Sequence, residues 1–203
     1  MLGSEGSKAG DGLYAIVLAA GASTRFGSPK QLVRIGGRPL LHAVVARAAE
    51  VTGNALIVVL GSGAAELAPL LKHSAGSVVI NHEWREGLAS SIRAGVARLP
   101  AACAGALLVL ADQAAVTADD LKRLAGTWRK QPHYIAAALY AGTTGAPAIF
   151  PRASFADLAG LRGDRGAQWL LRRSADRVAR VPMPGAALDL NTPEDLLALE
   201  PPK

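Results

Sequence analysis

The sequence contains one cysteine, few aromatic residues and no long apolar run, and each shortage excludes a class of protein. The single thiol, Cys103, cannot form an internal disulfide, which predicts a reducing, cytoplasmic location. Small residues without charge surround Cys103, so we expect a structural residue rather than a catalytic thiol. The longest apolar runs, such as 104–111, are far too short to span a bilayer. We therefore expect no association with a membrane.

Charge and the first residues narrow the class further. Lysine and arginine number 22 against 16 acidic residues, a net charge of +6 that suits an anionic ligand. The arginines are scattered and aromatic residues make up only 4%, so we do not expect nucleic acid as a partner. Residues 1–12 are polar and rich in glycine and serine, which predicts a disordered tail without a secretory signal. Residues 13–203 are expected to form a single domain.

Short apolar runs alternate with stretches of helical periodicity along the chain, which predicts an α/β domain of three layers with a mostly parallel sheet. The predicted strands are 15–18, 55–60, 77–80, 106–110, 134–139, 148–150 and 177–181, and the predicted helices are 39–51, 64–71, 90–99, 117–130, 153–158, 167–173 and 194–199. Thr117 and Thr192 are expected to cap their helices. Ligands of such sheets bind beyond the carboxyl ends of the strands, so loops 19–30, 61–64 and 111–115 are expected to meet there.

The loop after the first strand has the composition of a phosphate-binding site. Its small residues allow backbone amides to approach a ligand, and Arg25 and Lys30 add two cations that can reach a triphosphate. The spacing fits neither a P-loop nor the Gly-x-Gly-x-x-Gly of dinucleotide-binding folds. Asp112, at the exit of an apolar strand, could bridge Mg²⁺ to phosphates or could simply cap a turn. The four histidines show no metal-ligand spacing.

The segment Leu-Ala-Ala-Gly-Ala-Ser-Thr-Arg-Phe-Gly-x-x-Lys at 18–30 resembles the signature of the nucleotidyltransferases that act on sugar phosphates and cofactors. Within that superfamily the chain is similar to the molybdenum cofactor cytidylyltransferases, in the MobA-like group of NTP transferases. Agreeing motifs follow in order: Asn81-x-x-Trp-x-x-Gly-x-x-Ser90, Leu-Ala-Asp-Gln at 110–113, Gly-Ala-Pro at 145–147, Gly-Asp-Arg-Gly at 163–166 and Asp-Leu-Asn-Thr-Pro-Glu-Asp at 189–195. The resemblance implies a Rossmann-like nucleotidyltransferase fold over nearly the whole chain.

The resemblance also implies a reaction and a set of site residues. The phosphate of molybdopterin, carrying molybdenum, would attack the α-phosphate of CTP and expel pyrophosphate, with Mg²⁺ as cofactor. Catalysis would rest on Arg25, Lys30 and Asp112, with Asp112 and Asp189 (or Asn191) on the metal. The implied nucleotide-binding residues are Leu18, Ala19, Ala20, Gly21, Ala22, Ser23, Thr24, Arg25, Lys30, Gly61, Asn81, Gly87, Ser90 and Asp112, and the implied acceptor-binding residues are Pro147, Gly163, Asp164 and Gly166.

The chain departs from the family pattern in ways that affect the base and the metal. Ala20 stands where cytidylyl-transferring relatives have Ala and guanylyl-transferring ones have Gly, which favours CTP. Asn191 replaces an aspartate of the cytidylyl-type motif and lowers the negative charge of the site. Phe26 replaces the usual Met, and Ala114 replaces the proline that normally follows Asp112-Gln113.

Three alternatives stay open at this point. A guanylyltransferase, or another NTP transferase of the same fold, would keep the site and change the base or acceptor. A non-catalytic protein could deliver the cofactor to a molybdenum hydroxylase. The resemblance suggests such a hydroxylase, or its chaperone, as a transient partner. Trp84, Gly87 and Ser90 could shape a ribose or pterin pocket, or could belong to a loop whose helix Ser90 caps.

Overall fold

The computed structural model describes residues 11–23 and 26–199. Asp11 and Gly12, which the sequence assigned to a disordered tail, are attached to the domain. The Asp11 carboxylate pairs with Arg129 and accepts a hydrogen bond from the backbone N–H of Leu13 at 3.1 Å, and the Gly12 carbonyl accepts one from Ala104 at 2.8 Å. The rest of the predicted tail, together with Thr24 and Arg25, lies outside the described residues.

Seven strands form one sheet in the order β5-β4-β1-β6-β8-β7-β9, and β2 and β3 form a small separate hairpin. The strands are β1 Leu13–Ala19, β2 Arg34–Ile35, β3 Arg38–Pro39, β4 Leu56–Leu60, β5 Ser77–Ile80, β6 Gly105–Leu110, β7 Ile135–Tyr140, β8 Thr143–Pro151 and β9 Val178–Pro182. Every neighbouring pair in the sheet is parallel except the two pairs that include β8. The predicted α/β fold with a mostly parallel sheet is therefore confirmed.

Helices cover both faces of this sheet. They are α1 Leu40–Thr52, α2 Ala64–Leu67, α3 Leu88–Val96, α4 Ala118–Lys130, α5 Phe155–Ala159 and α6 Gln168–Arg173, with 3-10 turns at Lys30–Leu32, Ala68–Leu71, Trp84–Glu86, Arg152–Ser154, Ala175–Arg177, Pro184–Ala187 and Pro193–Leu199. One core packs α1 and α4 on the sheet, and a second packs α3, α5 and α6 on the opposite face. The faces alternate along β1, where Ala15 and Val17 enter one core and Ile16 and Leu18 the other.

Thr117 caps α4 as predicted, in a capping box with Asp120. The predicted start of the third helix was wrong. Helix α3 begins at Leu88, so Ser90 lies inside the helix, where its hydroxyl donates to the Gly87 carbonyl at 2.8 Å. The last predicted helix begins at Pro193, as expected, but it is a 3-10 turn. At its start the Asp195 carboxylate accepts hydrogen bonds from the N–H groups of Asn191 and Thr192, both at 2.8 Å.

The topology brings the loops after β1, β4 and β6 to one edge of the sheet. β1 lies between β4 and β6, and its register pairs Ala19 with Leu60 and Leu18 with Leu110. The three strands therefore end at the same level, and the polar residues that follow them lie together, as the sequence predicted. Across the described ranges, no helix combines the length and apolar character needed to cross a membrane.

Candidate active site

A cavity of about 540 Å³ lies at this edge of the sheet. Its walls come from the loop after β1, the start of the Lys30–Leu32 turn, the segment 84–91, the end of β6 and the turn after α5. The lining residues are Leu18, Ala19, Ala20, Gly21, Ala22, Lys30, Gln31, Trp84, Arg85, Gly87, Leu88, Ser91, Leu110, Ala111, Asp112 and Asp164. Most of the predicted nucleotide-binding loop therefore faces one common cavity, together with Lys30 and Asp112.

The loop after β1 is held by Gln31, which sequence reasoning missed. The Gln31 side chain is only 2% exposed, and its Nε2 donates to the carbonyls of Ala19 and Gly21, both at 3.2 Å. Its Oε1 accepts a hydrogen bond from Ser23 Oγ at 3.2 Å, and the same hydroxyl accepts one from the N–H of Lys30. These bonds join the start of the loop, at residues 19–23, to the Lys30–Leu32 turn. Ser23, with φ at +53°, does not line the cavity and acts within this network.

Lys30 and Asp112 are in direct contact across the cavity. Lys30 Nζ lies 2.6 Å from Asp112 Oδ2 and donates to the Leu190 carbonyl at 3.1 Å, and the two side chains are 15% and 22% exposed. The backbone N–H of Leu190 donates to the Asp112 carbonyl at 3.0 Å. Residues far apart in the chain thus place a cation and a carboxylate at one point. The second carboxylate oxygen, Asp112 Oδ1, is buried and has no hydrogen-bond partner among the described residues.

A second carboxylate, Asp189, lies close enough to Asp112 for the Asp112 charge to affect it. Burial raises the pKa of Asp189, the Asp112 carboxylate raises it further, and Lys30 opposes both effects. Burial followed by the charge of Asp189 also raises the pKa of Tyr140. Asp112 thus offers a buried oxygen without a partner among the described residues, and the carboxylate of Asp189 beside it is destabilised. A divalent cation bound by both carboxylates would relieve both conditions. Mg²⁺ is commonly bound by one or two carboxylates plus substrate phosphates, so Asp112 and Asp189 fit it.

The opposite wall of the cavity consists of the segment 84–91 packed against the turn after α5. At Gly61 the chain approaches its neighbours closely, since a Cβ there would lie 2.7 Å from Trp84 Cβ and 2.8 Å from Ala20 Cβ. Gly87 has φ at +112°, and a Cβ there would lie 2.2 Å from Asp164 Oδ1. Only glycine fits at either position without displacing its neighbours. Gly61 and Gly87 therefore bring the walls of the cavity together.

Two predicted nucleotide-binding residues lie behind this wall and do not line the cavity. Asn81 and Ser90 are buried, and Asn81 Nδ2 donates to the hydroxyls of Ser90 at 2.8 Å and Ser91 at 3.1 Å. The side-chain oxygen Asn81 Oδ1 accepts a hydrogen bond from the backbone N–H of Glu83 at 3.0 Å. The structure thus places Asn81 and Ser90 as supports of the segment 84–91.

A smaller cavity of about 250 Å³ adjoins the first, and Leu18, Leu88, Leu110 and Asp164 line both. Of the predicted acceptor-binding residues, Asp164 and Gly166 line it, whereas Pro147 and Gly163 do not. Gly163 instead accepts a hydrogen bond from the N–H of Ala89 at 3.1 Å. Tyr140, which the sequence analysis did not select, also lines this cavity.

Comparison with known proteins agrees with this geometry. The sequence profile of the MobA-like NTP transferase domain matches residues 15–178. The chain belongs to this family. The matched range runs from the middle of β1 through β8 and includes every residue that lines the main cavity. Membership of the MobA-like group of NTP transferases is therefore confirmed, and with it the assignment of the fold to the nucleotidyltransferases.

Individual relatives extend the comparison. The chain is 30% identical over 168 residues to nicotine blue oxidoreductase of Paenarthrobacter nicotinovorans, covering 78% of this chain and 80% of that protein. Against the bifunctional protein GlmU of Acidovorax sp. it is 46% identical over 63 residues, and the match spans only 13% of GlmU. The crystal structure of Rv0371c from Mycobacterium tuberculosis superimposes with a TM-score of 0.75 at 34% identity, covering 92% of this chain and 96% of that one. A manganese complex of Rv0371c superimposes with a TM-score of 0.69 at 30% identity.

Proposed function

We propose that this protein is a Mg²⁺-dependent nucleotidyltransferase that transfers CMP from CTP to the phosphate of molybdenum cofactor and releases pyrophosphate. The observation that carries the proposal is the contact of Lys30 with Asp112 in the cavity that the small-residue loop lines. A lysine and a carboxylate at one point can act on the same phosphate, because Lys30 would neutralise charge on it and Asp112 would hold a metal ion that neutralises more.

In the reaction, an oxygen of the acceptor phosphate forms a bond to the α-phosphorus of CTP. The bond from that phosphorus to the oxygen bridging the α- and β-phosphates breaks, and pyrophosphate leaves with the electron pair. The acceptor phosphate is already ionised, so the protein need not supply a nucleophile. The residues of the protein position the substrates and neutralise charge, which are the main contributions to catalysis of phosphoryl-type transfers.

Specific residues divide this work. Residues 20–22 line the cavity and would hold the triphosphate, joined by Thr24 and Arg25 as the resemblance implies. Lys30 would stabilise the charge that develops on the α-phosphate. Asp112 and Asp189 would hold Mg²⁺, which neutralises charge on the phosphates and orients them. The manganese complex of Rv0371c supports a divalent cation in this family of structures. The acceptor would lie on the side of Asp164 and Gly166, where the second cavity adjoins the first.

The base preference rests on Ala20, whose methyl group would crowd a purine more than a pyrimidine. Ala20 is only 5% exposed and lies against Gly61, so its methyl group can meet a base over only a small area. One methyl group in a pocket discriminates by roughly 1–3 kcal/mol, and partial contact places Ala20 at the lower end. We expect Ala20→Gly to shift the ratio of CTP to GTP turnover toward GTP by about tenfold or less. No shift would mean that Ala20 does not select the base.

Pyrophosphate release tests the proposal directly. Purified protein is supplied with molybdenum cofactor, Mg²⁺ and one of CTP, GTP or ATP, and released pyrophosphate is measured with a coupled assay. We expect release that depends on the acceptor and is fastest with CTP. Release with GTP alone would contradict the cytidine assignment and favour a guanylyltransferase. No release with any nucleotide, although the cofactor binds, would favour the cofactor-delivery protein instead.

A further inference from the structure

Arg85 lines the main cavity but has no role in the family motif described above. It lies in the 3-10 turn Trp84–Glu86, it is exposed, and its guanidinium carbon is 4.4 Å from the centroid of the Trp84 ring. Among the described residues, Arg85 has this stacking contact but no hydrogen bond or ion pair. A second cation therefore faces the same cavity as Lys30 and is held by stacking rather than by a carboxylate.

The neighbouring acidic residues cannot readily neutralise Arg85, because Arg93 occupies them. Arg93 Nη1 donates to Glu86 Oε1 at 2.8 Å, and its Nη2 contacts Glu86 Oε2 at 2.5 Å and Glu83 Oε2 at 3.3 Å. The Arg93 bonds lower the pKa of Glu86 to about 2, helped by a hydrogen bond from the N–H of Gly163. Both carboxylates that flank Arg85 in sequence are thus paired with another arginine. Arg85 keeps its charge available to a ligand.

Trp84, on whose ring Arg85 stacks, is packed at the base of its side chain. Trp84 packs on Gly61 and therefore lies beside Ala20 at the end of the nucleotide-binding loop. Stacking on the ring leaves the edge of the guanidinium open, and this edge matches the oxygens of a phosphate in a two-point hydrogen bond. Because the guanidinium is already positioned, it loses less conformational freedom on binding than an unsupported side chain would.

We propose that Arg85 is an anion-binding residue of the active site that takes a phosphate group of a substrate. The proposal rests on the nucleotidyltransferase function and deepens it, because it names a second phosphate contact in addition to Lys30. The phosphate belongs either to the nucleoside triphosphate or to the acceptor, and binding measurements distinguish the two sources. Arg93 has a different role, as a positioning residue that keeps Glu83 and Glu86 away from Arg85.

The test uses the full chain with Arg85→Ala and Arg85→Lys. The matched control is Arg98→Ala, an exposed arginine that lines none of the cavities described above. Calorimetric titration measures the affinity for CTP, inorganic pyrophosphate and cytidine, and initial rates give the acceptor KM at saturating CTP. A charge-assisted contact predicts a loss of about tenfold in Arg85→Ala, a smaller loss in Arg85→Lys and none in Arg98→Ala.

Two outcomes support the proposal and identify the source. Weaker binding of CTP and pyrophosphate, with cytidine unchanged, assigns Arg85 to the nucleotide phosphates. Unchanged CTP affinity with an acceptor KM raised about tenfold assigns it to the acceptor phosphate. If Arg85→Ala matches the wild type in every titration and in acceptor KM, the proposal is wrong. The pyrophosphate titration needs no turnover, so a wild type that binds pyrophosphate through Arg85 but transfers no nucleotide contradicts only the proposed function.

Arg93→Met separates positioning from general support of the fold. With Arg93 removed, Glu83 and Glu86 become free to pair with Arg85 and to repel an incoming phosphate. We therefore expect Arg93→Met to weaken binding of the same anion in the wild-type background but to change it little further in Arg85→Ala. An equal loss in both backgrounds would show that Arg93 acts independently of Arg85 and would refute its positioning role.

Discussion

Replacement of Lys30 by methionine tests the central ion pair of the site. At 2.6 Å the Coulomb attraction between Lys30 and Asp112 is about 6 kcal/mol at an effective dielectric constant near 20. Most of this is offset because both groups lose water, with side chains only 15% and 22% exposed. A net contribution of about 1.5–3 kcal/mol is usual for a charge-assisted hydrogen bond. Adding about 0.5–1.5 kcal/mol for the lost bond to the Leu190 carbonyl, we expect Lys30→Met to lower the free energy of unfolding by about 2–4.5 kcal/mol.

The assay is urea denaturation of Lys30→Met, Asp112→Asn and the double variant, followed by far-UV circular dichroism. The double-mutant cycle is expected to give a coupling energy of about 2 kcal/mol. The control cycle uses Lys122 and Glu50, whose Nζ–Oε2 distance of 2.7 Å is similar but whose side chains are 48% and 52% exposed. That pair should couple by less than about 1 kcal/mol. A coupling energy for Lys30 and Asp112 no larger than the control would refute the pairing.

The same variant distinguishes catalysis from binding. The Lys30 charge matters most as the α-phosphate changes, so Lys30→Met should lower kcat by about 100-fold or more and change the KM for CTP much less. Initial rates at varied CTP and saturating acceptor give both constants. A loss confined to KM would contradict the role of Lys30 in stabilising charge on the α-phosphate.

Three further changes have expected outcomes. Because the pKa of Asp189 is raised in the folded chain, ionisation of this residue destabilises the fold as pH rises above its ordinary pKa of 3.8. Asp189→Asn should therefore raise the melting temperature at pH 7, change it little below pH 3.8 and still lower Mg²⁺-dependent turnover. A lower melting temperature of this variant at pH 7 would count against the assigned repulsion. Gly87→Ala must displace Asp164, so it should destabilise the chain in urea by about 1–3 kcal/mol and raise the acceptor KM, and wild-type values for both would contradict the close packing. Burial raises the pKa of the Cys103 thiol, so it should react with a colorimetric thiol reagent only on unfolding, whereas fast reaction of the folded chain would show that the thiol is accessible.

The order of strands and helices and the convergence of three loops were predictable because they depend on local patterns. Continuous apolar runs such as β4 and β6 indicate strands buried on both faces, and parallel strands bring their carboxyl ends to one edge. The antiparallel placement of β8 was not predicted, because its first residues are polar or small and its direction follows from the short connection to β7. The early start of α3 was missed because Gly87, rather than a side-chain cap, precedes it.

Sequence reasoning identified the charged residues of the site but missed the residues that position them through hydrogen bonds. Lys30 and Asp112 are charged residues beside strand ends, so position and chemistry pointed to them together. Gln31 gave no such signal, because its function is to bond the Ala19 and Gly21 carbonyls, and that contact exists only in the folded chain. Asn81 was selected from the motif as a nucleotide contact, but its position behind the wall depends on packing between β5 and α3. Its predicted contact with the nucleotide stays a prediction.

Phosphorus-31 NMR of the reaction mixture tests the central claim most directly. Purified protein, CTP, Mg²⁺ and molybdenum cofactor are mixed, and the product is separated from protein before its spectrum is recorded. The proposed reaction predicts a new diphosphate linkage between CMP and the acceptor, formed in equal amount with pyrophosphate and absent with Asp112→Asn. Pyrophosphate accompanied only by free CMP, or an unchanged spectrum with CTP, GTP and ATP alike, would contradict nucleotidyl transfer by this site.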